Sequence, residues 1–113
     1  MDKFEMLQEK FSVDLGEFLK GIQTTHEVDV AVFERIDYEA AGFARILKGQ
    51  ALVPRSLLNE LRTATKVLRA EAPYVDRERN ALESMADKLE MTFDLILKGE
   101  GPEDRIPGVP RII

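Results

Sequence analysis

His26, the one histidine in the chain, stands next to Glu27 and three residues before Asp29, so three residue types that can ligate a metal fall within four positions. A tetrahedral site needs a further imidazole or thiolate, and a di-iron helical bundle needs two Glu-x-x-His motifs. The chain has neither, and His26 is expected to be a polar residue at a helix cap. Nucleophilic catalysis by Ser12, Ser56 or Ser84 would require a general base close by and a strained turn that presents the hydroxyl. All three serines fall within helical patterns, and no triad can be assembled around them. Carboxylates for acid-base work are plentiful, but on amphipathic helices such residues form the solvated face. Gly99-Glu100-Gly101 precedes a proline and opens no helix, so it does not make a phosphate cradle. Arg69, Arg77 and Arg79 alternate with Glu71, Asp76, Glu78 and Glu83, the pattern of an ion-paired exposed face. No enzyme activity, metal or cofactor is expected.

Charge carries more information than any single reactive group. The chain has a net charge of −5, and its acidity is concentrated in residues 1–53, with six Lys/Arg against ten Asp/Glu. Glu27, Asp29, Glu34, Asp37 and Glu39 lie within thirteen residues and are opposed only by Arg35. A nucleic-acid binder needs clustered cations to release phosphate counterions, so this distribution argues against one and favours a protein partner with a basic surface. Cysteine is absent, which excludes disulfides and thiolate sites and suits a reducing cytoplasm. No apolar run approaches the roughly 20 residues that span a bilayer, and charges interrupt the first six residues, so neither a membrane segment nor a signal peptide is expected.

The elements that would position these groups are helices. Phe4, Leu7, Phe11, Leu15, Phe18 and Ile22 follow helical spacing, placing a first helix over about Asp2 to Lys20 with Gly21 as its stop. The triplet Leu-Lys-Gly recurs at 47–49 and 97–99, which we read as repeated helix-end punctuation. Thr24 and Glu27 have the spacing of a capping box opening a second helix, with Phe33, Ile36, Ala40, Phe43 and Leu47 as its apolar stripe. Pro54 begins a third, with Leu57, Leu58, Leu61, Ala64, Leu68 and Ala72 facing inward until Pro73. A fourth helix of about 24 residues, the longest, runs from Pro73 with Val75, Leu82, Met85, Leu89, Phe93 and Ile96 on its stripe, and Tyr74 reads as a staple at its start. The expected fold is all-α: an up-down antiparallel four-helix bundle over 1–98, its short connections making successive helices neighbours. An extended Pro/Gly-rich C-terminal tail over 99–113 follows, and its apolar Ile106, Val109, Ile112 and Ile113 are expected to dock on the bundle or on a partner.

On the second helix, Ala31, Tyr38 and Gly42 fall opposite the apolar stripe, flanked by Glu34 and Arg45. An exposed aromatic among small residues suits an interface anchor, in contact with another protein or with a second copy in a homodimer; the alternative is a second buried face. Glu27, Asp29, Glu34, Asp37, Tyr38 and Arg45 are therefore the candidate partner-binding residues.

Glu71-Ala-Pro-Tyr-Val75, followed by Leu82, Met85, Leu89, Phe93, Ile96-Leu97 and Asp104-Arg105, resembles a segment of the small helical immunity proteins of interbacterial type VI secretion toxin systems. About a third of the chain is covered. Those proteins continue into further helix where this chain turns into its Pro/Gly-rich stretch. The resemblance implies a cytoplasmic, non-catalytic protein that occludes the active site of a cognate toxin.

Overall fold

The structure, a computed structural model, describes residues 2–75 and 77–104. Four α-helices account for most of them: α1 (Lys3–Thr25), α2 (Val30–Leu47), α3 (Arg55–Glu71) and α4 (Arg79–Lys98). They form a four-helix bundle with no strand among the described residues. The apolar tail positions Ile106, Val109, Ile112 and Ile113 lie outside the described residues.

Helix directions follow from which ends meet. Phe4, early in α1, packs edge-on against Phe43 near the end of α2, with ring centroids 5.3 Å apart, while Phe18 meets Phe33 at the other end at 5.7 Å. α1 and α2 are thus antiparallel. Gln8 donates to Ser56 and Ser12 to Glu60, so α1 and α3 run parallel. Arg69 reaches back to Asp87 and Glu90, making α3 and α4 antiparallel, and the Gly49 N–H donates to the Gly99 carbonyl at 3.0 Å where α2 and α4 end together. The up-down alternation holds, but α2 and α3 are not neighbours. α1 packs on α2 and α3, α4 packs on α3 and α2, and the connection over 48–54 crosses the diagonal of the bundle. Seven residues suffice for that crossing, so shortness did not enforce adjacency.

The expected stripes form the core. Phe11, Ile22, Ile36, Leu57, Leu61, Leu68, Leu82 and Leu89 are fully buried, and Phe11 stacks edge-on with Phe43 at 5.5 Å. Each large side chain of this kind contributes about 1.5–3 kcal/mol on burial. On α4 the stripe is wider than expected, with Leu95 and Thr92 buried and Phe93 only partly so.

Helix ends depart from expectation in three places. α1 does not stop at Gly21; it continues to Thr25 because Ile22 extends the buried stripe by another turn. Thr24 and Thr25 donate their hydroxyls to the carbonyls of Lys20 and Gly21, so Thr24 belongs to the end of α1 and opens no capping box. Asp29 instead caps α2, its carboxylate accepting the Val32 N–H at 3.1 Å. Finally, α4 is shorter than expected, at 20 residues, and α1 is the longest helix at 23. Pro73 lies in a single 3-10 turn over Ala72–Tyr74, and the buried Val75 is extended at φ −119° and ψ 98°, which breaks the helical path before Arg79. The other two Leu-Lys-Gly triplets do end helices, with Gly49 and Gly99 in the left-handed region at φ 75° and 72°.

Candidate functional site

The face of the bundle formed by α1 and α2 carries a groove of about 210 Å³ lined by Leu7, Tyr38, Glu39, Gly42, Phe43 and Ile46. Tyr38, Gly42 and Ile46 recur every four residues and form one row along α2. Tyr38 is 75% exposed, Ile46 49% and Leu7 37%, whereas Phe43 is buried and floors the groove. A methyl group built on Gly42 would meet no atom within 4 Å, so nothing inside the described fold requires glycine there. Leu7, assigned to the core by its spacing, stands at the groove edge. Together with Ile46 it is the part of this face that residue types alone did not single out, although the recurrence from Tyr38 every four residues leads to Ile46.

Arg45, three residues beyond Gly42, borders this row near the end of α2. Its Nε is 2.6 Å from Oε1 of Glu103, and three residues on, at the cap of α2, Lys48 Nζ is 2.9 Å from Oδ2 of Asp104. The Gly101 N–H donates to Asp104 at 2.7 Å, closing the short 3-10 turn over Pro102–Asp104. The Glu103 carboxylate holds the Arg45 guanidinium further toward its charged form, with a smaller electrostatic contribution from Tyr38. Arg45, next to Ile46 in sequence, therefore ties the end of α2 to the end of the described chain.

The other candidate residues are spread along α2. Glu27 and Asp29 are exposed at its beginning, beside a shallow depression that also touches Asp14, Glu17 and Arg35. Sixteen residues separate Asp29 from Arg45, about 24 Å along the helix axis. Glu34 is exposed in between. Asp37 is half-buried on the side of α4; burial pushes its carboxyl up, and Lys88 partly offsets this. Tyr38, Gly42 and Arg45 thus share one face, Asp37 turns toward α4, and Glu27 and Asp29 occupy the far end. Ala31 is exposed.

Between the groove and that far end, four charged groups clasp α1 to α2. Lys10 Nζ is 2.9 Å from Asp14 and 3.6 Å from Glu39, and Arg35 Nε is 3.6 Å from Asp14 and 3.9 Å from Glu39. The hydrogen bond from Lys10 holds the Asp14 carboxyl below its ordinary range. Burial, and then the hydrogen bond to Asp14, push the Glu39 carboxyl up. Two carboxyls whose proton affinities are driven apart are an acid-base pattern. Here each has a cation beside it, and the group reads as an interhelical clasp.

The remaining chemistry-bearing residues have local roles. His26 takes the left-handed conformation at φ 58° and donates its N–H to the Ile22 carbonyl, capping α1. Ser12 donates to Glu60 and Ser56 accepts from Gln8, both between α1 and α3. Among the described residues no group of three His, Asp or Glu is arranged to hold a metal, and no helix is long and apolar enough to cross a membrane. Comparison of the chain with protein-family models, with curated proteins and with solved structures finds no match.

Proposed function

We propose that this chain is a non-catalytic protein-binding module that presents the α1/α2 face around Tyr38 to another protein. The observation that carries the reading is the exposure of Tyr38, at 75%, beside an apolar groove formed by Leu7, Gly42, Phe43 and Ile46. Aromatic anchors next to a pocket are the usual energetic centre of an interface, and tyrosine places its hydroxyl at the wet rim. The acidic α2 favours a partner of basic surface, because opposite fields raise the association rate. Its resemblance to small helical immunity proteins gives this role a specific form, a stoichiometric inhibitor of a toxin, acting in the cytoplasm.

A second reading is favoured by Gly42. With open space above it and Tyr38 and Ile46 one turn away on either side, a second α2 could approach closely across a two-fold axis. Light scattering separates the two: the inhibitor reading expects a monomer at tens of micromolar.

The proposed function is tested with Tyr38→Ala and Glu34→Lys, both at exposed helical positions that leave the core untouched. Each variant is expected to lose most of the partner recovered by the parent chain, the second mainly at low salt. Undiminished recovery by both, with helicity intact by circular dichroism, overturns the assignment of this face.

A further inference from the structure

The described chain stops at the end of α2 that carries the groove's Ile46. Glu103 is held by Arg45 and Asp104 by Lys48, both near the end of α2, and Arg45 immediately precedes Ile46. Nine residues follow, Arg105-Ile-Pro-Gly-Val-Pro-Arg-Ile-Ile113. Extended, they reach about 30 Å, whereas the groove from Ile46 back to Tyr38 measures about 12 Å along α2. Length and point of departure therefore both permit the segment to lie along it.

Chemistry matches as well. The segment contains Pro107-Gly-Val-Pro110, and Pro-x-x-Pro segments in the polyproline conformation dock in grooves lined by aromatic side chains. The groove provides Tyr38 at its rim and Phe43 in its floor. Prolines bring no backbone N–H that an apolar groove would leave unsatisfied. Two arginines and no acidic residue occur in the segment, while the exposed Glu34 lies one turn before Tyr38 on α2. Open space over Gly42 allows a backbone to approach. Tethering adds a further advantage, since a short linker gives an effective concentration on the order of millimolar, at which even a weak contact is well populated.

We propose that the α1/α2 groove is the docking site of the chain's own segment 105–113, so that a partner reaching Tyr38 displaces it. The displacement rests on the function proposed above; the docking does not.

The chain has no cysteine, so Ile113→Cys gives a single attachment point for a nitroxide on the otherwise intact protein. Paramagnetic broadening is then read on the amide signals of dilute isotope-labelled protein. The expected result is selective loss of intensity at Leu7, Gly42 and Ile46, sparing Arg62 and Lys66 on the opposite α3/α4 face, and its disappearance when Ile46→Glu is added. Two results overturn the docking: no selective loss at these residues, or a loss that also appears when spin-labelled chains are mixed with unlabelled isotope-enriched ones, which would make the occupant a second copy. Since no partner is present, failure of the proposed function leaves this result intact. Equal partner affinity with and without residues 105–113 would remove the displacement alone.

Discussion

Gly42 and Gly16 form a matched pair for testing whether the α1/α2 face is open. Both lie inside helices, where glycine costs about 0.8–1.0 kcal/mol relative to alanine. A methyl group at either position meets no atom within 4 Å. Gly16→Ala is therefore expected to raise the stability of the whole chain by about 1 kcal/mol, near 4 °C in Tm for a domain of this length. In a chain ending at Asp104, Gly42→Ala is expected to give the same gain. In the full chain its gain should be smaller, because the methyl narrows the groove in which residues 105–113 are proposed to lie. Urea unfolding followed by circular dichroism measures all of these, and unchanged m-values would show that stability alone has moved. A loss of stability from Gly42→Ala in the shortened chain would mean that the fold itself packs over Gly42 and that the α1/α2 face is closed there.

Two further perturbations test the local physics. Asp29→Ala removes the side-chain cap of α2 and is expected to cost about 1 kcal/mol by the same unfolding assay, with Asp29→Asn largely neutral. The carboxyl of Glu39 is raised, so its contribution to stability is present below its unfolded pKa and is lost as pH rises through the folded value; for Asp14, which is lowered, the contribution is present above the unfolded pKa and lost as pH falls through the folded one. Denaturation across pH 3–8 should accordingly show Glu39→Gln gaining on the parent chain as pH rises and Asp14→Asn losing ground over the same range; parallel curves would contradict the clasp.

Much of the fold was legible because its signals are local. The stripes through Phe11, Phe33, Leu61 and Leu89 read directly as buried faces, and the glycines after Leu47-Lys48 and Leu97-Lys98 read as helix ends. Gly21 misled because local punctuation competes with burial, and Ile22 gained more by extending the core than the chain gained by stopping. The α2/α3 diagonal was hidden for a different reason: a connection of seven residues limits distance without choosing a neighbour. The same division applies to the site. Tyr38 was visible as an aromatic opposite the α2 stripe, whereas the groove needed Leu7 from another helix. The pairing of Arg45 with Glu103, 58 positions away, has no local signature.

Whether Tyr38 contacts another protein is decided by a photo-reactive phenylalanine analogue introduced at position 38. Irradiated in cells of the source organism, it should form a covalent adduct with a different protein, while the same group at exposed Thr63 on α3 should not. Adducts that are absent at position 38, or that contain only a second copy of this chain, would contradict the proposed contact.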